Sequence, residues 1–251
     1  MHAAARTAGF WLLFPAFGLA LYVSPCLADA YLVEPVSLNL SVETPQGLFR
    51  LNSRDTQPIR VQVDVAVWTQ EQGANREEPT ADFIVSPRFV DLPPGAGQVV
   101  RIALRHPAAQ PAEQSYRVLF REVVESPGGI PGEKGIALDY SIPLFVAPAV
   151  PGGPHLEWAL RRVDASTLLL AVSNTGVSHG KITLYSLVRK TGLGPVVPPI
   201  DLSKISGWQY ILAGVTRTLR LRSSAPLSRG DNLLLTMELD GRRMELPFTL
   251  Q

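Results

Sequence analysis

The five residues Gly176-Val177-Ser178-His179-Gly180 match the G-x-S-x-G pattern of a nucleophile elbow. In that arrangement a strained strand-to-helix turn exposes a serine hydroxyl, and an acid and then a histidine follow it along the chain. Here the segment falls between two stretches that alternate like strands. No histidine follows His179; the other three are His2, His106 and His155. A polar hairpin with glycines in its turn accounts for the same letters, and a serine esterase on Ser178 stays as the remote alternative. Glu77-Glu78 would be the raw material for acid–base catalysis, but it sits in a polar stretch from Glu71 to Pro79 that reads as a loop with solvated carboxylates. Arg217, Arg220 and Arg222 read as one solvent-facing strand rather than a polyanion site. No glycine-rich phosphate loop is present. One cysteine and four histidines offer no zinc cluster. The residues therefore predict no catalytic group, no metal and no cofactor, and a protein that is not an enzyme.

The chain as a whole points the same way. It has 251 residues, 46% hydrophobic and 18% charged, with a formal net charge of +1. This is enough apolar material for one large domain or two of about 100 residues. The charge balance gives no reason to expect nucleic acid or an anionic membrane as partner. No small-molecule substrate is indicated.

Residues 1–30 read as a cleavable signal peptide. Gly9 to Val23 is apolar, and Ala28-Asp29-Ala30 fits the small-x-small rule, which places cleavage before Tyr31. Pro15 and the shortness of the run argue against an uncleaved anchor helix. Pro25 fits poorly with Cys26 as a lipoprotein cysteine. Cleavage leaves 221 residues and no cysteine. The sequence thus predicts an exported, periplasmic protein stabilised by its core alone.

The body alternates with period two. In Arg60 to Trp68 the odd positions are apolar, the pattern of a half-buried strand. Val99 to Leu104, Tyr116 to Arg121, Ile136 to Leu144, Thr167 to Ser173, Lys181 to Val188, Thr216 to Leu221 and Asn232 to Leu239 read likewise. Asp240-Gly241 predicts a tight hairpin between Met237-Glu238-Leu239 and Met244-Glu245-Leu246. No amphipathic helix of three turns stands out. Residues 148–154 lie in an uncharged stretch rich in proline and glycine and read as a linker. It separates residues 31–147 from 155–251, each near the size of an immunoglobulin-like sandwich. The expected fold is all-β, with two immunoglobulin-like sandwiches in tandem.

Several segments in order resemble the periplasmic chaperones of the chaperone–usher pilus system. They are Pro58 to Val63 with Trp68, Phe83-Ile84-Val85-Ser86-Pro87, Pro93-Pro94-Gly95 with Gln98-Val99-Val100-Arg101, Ser115 to Glu122, and Ile136-Ala137-Leu138 with Leu144 to Pro148. The resemblance covers Tyr31 to about Pro148 well and the second domain loosely. The long Ser-Pro and Pro-Gly signals suggest the archaic, spore-coat-U-type branch. The resemblance implies a boomerang of two immunoglobulin-like domains. Such a chaperone lends its G-strand to an incomplete pilus or fimbrial subunit, which is donor-strand complementation, and delivers the subunit to an outer-membrane usher.

On that resemblance the donated face carries Ile136, Leu138, Tyr140 and Ile142, with Leu144 on the same face. The same alternation is equally compatible with a face that fills the protein's own core. Residues 128–135 would form the preceding loop, with Ile130 as a further anchor. Better-known members anchor the subunit's C-terminal carboxylate with a basic pair, but those positions align with Ser37 and Pro143 here. Arg117 and Arg121 on the F-strand are the replacement candidates. The alternative to a chaperone is a secreted structural or adhesive two-sandwich protein that is itself a surface subunit.

Overall fold

The structure, a computed structural model, describes residues 30–71, 74–123, 139–191, 194–195, 210–223 and 226–251. The stretch read as a signal peptide, the loop read at 128–135, and Ile136 and Leu138 lie outside the described residues. Eighteen strands and no helix are present among the described residues.

In the first half, β1 (Tyr31–Glu34), β3 (Gln46–Ser53), β8 (Gly97–Leu104) and β6 (Phe83–Ser86) form one sheet in that order. The facing sheet runs β2 (Leu38–Leu40), β10 (Asp139–Val146), β9 (Gln114–Glu122), β4 (Ile59–Glu71) and β5 (Ala74–Pro79), with β7 (Phe89–Leu92) also on β4. Only β2 against β10 is parallel; the other pairs in these two sheets are antiparallel. The core lies where the sheets face each other. The odd positions of β4, Ile59, Val61, Val63 and Val65, meet Phe49, Leu51, Val100, Ile102, Val118 and Phe120. Phe49 and Phe120 meet edge to face with ring centroids 5.2 Å apart.

The second half repeats the plan. A three-stranded sheet orders β11 (Leu156–Arg162), β12 (Thr167–Asn174) and β16 (Thr216–Arg222). The other sheet is built on β13 (Gly180–Thr191), which pairs with β14 (Gly194–Pro195), β15 (Tyr210–Ile211) and β17 (Asn232–Leu239), and β18 (Arg242–Thr249) pairs with β17 in turn. A separate core of Leu168, Leu170, Val172, Ile182, Leu187, Leu235 and Met237 joins them. At the β17–β18 hairpin Asp240 and Gly241 both adopt positive φ, 48° and 81°. That is the two-residue turn whose twist matches the flanking strands, and Gly241 tolerates it without a Cβ clash.

Two expectations are corrected. The stretch read as a polar loop from Glu71 to Pro79 contains β5, an edge strand whose six residues are all exposed. Exposure on both faces removes the apolar alternation that marks a strand, so the letters look like a loop. Arg217 does not face solvent with its neighbours. Arg220 and Arg222 are exposed, whereas Arg217 is 4% exposed and shares the inward parity of Leu219 and Leu221.

Candidate functional site

Strand β10 is the last strand of the first sandwich, and its two faces have different surroundings. Tyr140, Ile142, Leu144 and Val146 point inward. Ile142 is 6% exposed within the domain's own core. Tyr140 packs against that core, meets Tyr31 edge to face at 5.1 Å, and donates its hydroxyl to the Tyr31 carbonyl at 2.7 Å. Two of the four residues expected on a donated face are therefore used internally. The alternation that includes them continues into Leu144, and the neighbouring sheet already covers that face.

The opposite face of β10 carries Ser141, Pro143 and Phe145, beside Arg117, Leu119 and Arg121 of β9 and Ala66, Trp68 and Gln70 of β4. This face runs into the second domain. Phe145, Trp68 and Leu212 form a small apolar cluster across the junction, with Tyr210 and Val215 packed on it. Gln70, 7% exposed, donates from Nε2 to the Tyr210 carbonyl at 2.9 Å and accepts the Leu212 N–H on Oε1 at 3.1 Å. Its amide thus pairs with the second domain's backbone as a neighbouring strand would. His179 stacks on Phe145 at 3.7 Å between ring centroids, and its Nδ1 lies 2.7 Å from Glu113 Oε1. The same Glu113 oxygen accepts the His179 N–H at 3.1 Å. Asn174, 2% exposed, holds the loop behind it, with Oδ1 accepting from His155 and Gly176 and Nδ2 donating to Ser178 and Ile211. Of these junction residues the sequence singled out Trp68, Phe145, Ser178 and His179, none of them as a contact between domains. An isolated Gln or Glu on an alternating strand looks the same whether it meets water or a second domain.

Arg117 lies at the wall of this junction. Its guanidinium carbon sits 3.6 Å from the centroid of the Trp68 ring, and Nη1 donates to the Ser141 carbonyl at 3.2 Å. Burial pushes its pKa down, with Glu77 and Tyr210 opposing the shift. Its buried Nε–H has no acceptor among the described residues. Ser141 in turn donates its hydroxyl to Glu77 at 2.9 Å. The structure thus holds a desolvated cation with donor capacity left over, beside the strand of interest. Arg121 differs. It is half exposed and lies 3.8 Å from Asp64, which also pairs with Arg88. The sequence-based pair of candidates therefore splits into one committed arginine and one with spare capacity.

The Ser178 motif sits in a bend before β13, with no helix following. Its hydroxyl donates to the Gly152 carbonyl at 2.5 Å, and His179 is engaged with Glu113 and Phe145. No group of three or more His, Cys, Asp or Glu side chains that would hold a metal occurs among the described residues.

This fold defines a class: two immunoglobulin-like sandwiches in tandem, arranged as in pilus-assembly chaperones. The model of the pili and flagellar-assembly chaperone family, PapD N-terminal domain, matches residues 32–151. Among solved structures, the chain resembles one from the CsuC–CsuE chaperone–tip adhesion subunit pre-assembly complex of archaic chaperone–usher Csu pili of Acinetobacter baumannii. The identity is 18%, covering 88% of this chain and 99% of that one, at a TM-score of 0.61. The SafB chaperone–SafA pilin complex of Salmonella enterica gives 18% identity, 88% and 96% coverage and a TM-score of 0.55. The E. coli chaperone DraB gives 16% identity, 88% and 96% coverage and a TM-score of 0.54. Comparison with curated proteins found no match. The resemblance read from the sequence is therefore matched by both the family and the two-domain fold.

Proposed function

We propose that this protein is a periplasmic chaperone, exported by the signal at residues 1–30. In this reading it captures incomplete pilus or fimbrial subunits by donor-strand complementation and delivers them to an outer-membrane usher. The observation that carries the reading is the family match over residues 32–151, on a fold shared with chaperones solved in complex with their subunits. The division into domains at residues 31–147 and 155–251, joined by 148–154, belongs to the same proposal.

In this proposal the donated anchors are Ile136 and Leu138, since Tyr140 and Ile142 are used in the protein's own core. A subunit strand pairing there would gain ladder hydrogen bonds, and each fully buried anchor would add about 1.5–3 kcal/mol. The subunit's terminal carboxylate would meet Arg117, whose spare donor and partial desolvation suit a charge-assisted hydrogen bond. The test is an affinity pull-down from host periplasm, with mass spectrometry of what accompanies the protein. A small β-rich subunit near one-to-one, lost on Leu138→Asp, supports the reading. A folded Leu138→Asp variant that captures subunit at full strength overturns donor-strand capture.

A further inference from the structure

The adjacent carboxylates Glu77 and Glu78 point to opposite sides of β5, because successive side chains alternate across a strand. Glu77 stands directly across the β4–β5 ladder from Trp68, the ring on which the Arg117 guanidinium lies. Glu78 stands across from Val67 and shares its parity with Arg76, which pairs with Glu71 at 3.0 Å. Glu77 is therefore the carboxylate that β5 brings to the Arg117 face.

Its side chain reaches over that face to β10, where Oε1 accepts the Ser141 hydroxyl at 2.9 Å. The carbonyl of the same serine accepts from Arg117 Nη1 at 3.2 Å. Ser141 thus holds a carboxylate and a guanidinium at one residue, and the Glu77 charge favours the charged form of Arg117 against the effect of burial. Yet no direct Glu77–Arg117 ion pair forms among the described residues, and the buried Arg117 Nε–H keeps its unused donor. Glu77 is exposed and borders a cavity of about 630 Å³ that Ala66, Leu119 and Arg121 also line, so it has room to leave Ser141. A solvated carboxylate held by one neutral hydroxyl is displaced at small cost.

We propose that Glu77 is a built-in stand-in for the subunit's terminal carboxylate: latched on Ser141, it occupies the approach to Arg117 in the free protein, and the arriving carboxylate displaces it. This latch rests on the proposed capture of subunits at Arg117. Two carboxylates at one guanidinium repel each other, so latch and ligand compete. Until a subunit arrives, the partly desolvated cation keeps an anionic neighbour.

Glu77→Gln tests this, because its amide oxygen can still accept from Ser141 while the charge is gone. Purified subunit is titrated against wild type, Glu77→Gln, Arg117→Ala and the double variant. Loss of the competing charge tightens capture about two- to fivefold, the range of an exposed charge pair. The gain vanishes in the Arg117→Ala background, which a general change in surface charge or stability would not do. A Glu77→Gln variant that binds no tighter, or one that tightens equally without Arg117, overturns the latch. The free protein gives a second readout that needs no subunit. In a heteronuclear NMR spectrum the Arg117 Nε–H signal shifts on Glu77→Gln, and excess acetate perturbs it more in the variant than in wild type. If wild type captures no subunit, the chaperone reading fails and this signal still decides the latch. An Arg117 signal indifferent to both Glu77→Gln and acetate overturns it.

Discussion

Arg117 stands directly across the β9–β10 ladder from Pro143. On the other side of β10, Leu144 pairs in parallel with Leu38, which brings the segment containing Ser37 alongside Pro143. Ser37 and Pro143 are thus neighbours here, both uncharged, and the cation Arg117 is one strand over. In the proposed reading, a subunit carboxylate arriving at this point would meet a charge from a different strand, on a guanidinium already oriented by Trp68 and the Ser141 carbonyl.

Arg117→Ala therefore weakens subunit capture. A hydrogen bond to a charged group contributes about 1.5–3 kcal/mol, which corresponds to roughly ten- to hundredfold in affinity. Arg117→Lys recovers only part of it, because a lysine lacks the planar fork that stacks on Trp68. Titration of purified subunit against the three proteins checks this; equal affinities would remove Arg117 from the site.

The two faces of the β10 region separate by mutation. Ile142→Asp buries a carboxylate in the first core and lowers the melting temperature sharply, whereas Ile142→Ala costs about 2–5 kcal/mol. Leu138→Asp leaves the melting curve near wild type and removes subunit binding. A Leu138→Asp variant as unstable as Ile142→Asp would mean that residue 138 also belongs to the core.

Gln70 bridges the domains through both atoms of its amide. Gln70→Leu leaves the Leu212 N–H and the Tyr210 carbonyl without that partner, at about 1–3 kcal/mol for each group left unsatisfied. The two cores are otherwise untouched. The expected outcome is two intact sandwiches with a wider spread of interdomain orientation, read as a larger radius of gyration in small-angle scattering with unchanged far-ultraviolet circular dichroism. An unchanged scattering profile would assign the junction to the apolar cluster and the Glu113–His179 pair instead.

Tyr116 carries a pH dependence. Burial first, and the Asp82 charge to which its hydroxyl donates second, push its pKa from 10.0 to about 12. The folded state holds the phenolic proton more tightly than the unfolded chain does. This stabilisation is complete below pH 10 and is lost as pH rises toward about 12. As pH rises across that range the melting temperature of wild type should fall relative to that of Tyr116→Phe, which has no phenol to titrate at this position. Parallel curves would show that the hydroxyl does not titrate with folding.

Ser178→Ala should leave acyl-ester hydrolysis at background, as in the wild type, because the hydroxyl donates to Gly152 and no helix follows the turn. Ser178-dependent turnover would reopen the esterase alternative.

The sequence by itself determined most of the strand map. Wherever one face of a strand is buried and the other solvated, alternation writes the fold into the letters, as in β4, β9, β12 and β17. Asp240-Gly241 specified its hairpin, because few residues tolerate positive φ. The same rule fails where its premise fails. Strand β5 is exposed on both sides, so it read as a loop. Only the tertiary structure decided which alternating face lies inward, because period two is symmetric between faces until a second sheet covers one. That covering turned Tyr140 and Ile142 into the core, buried Arg217 and left Arg220 and Arg222 outside. The junction was likewise invisible, since Gln70, Glu113, Phe145, His179 and Leu212 are far apart in sequence and meet only when two separately folded sandwiches pack together.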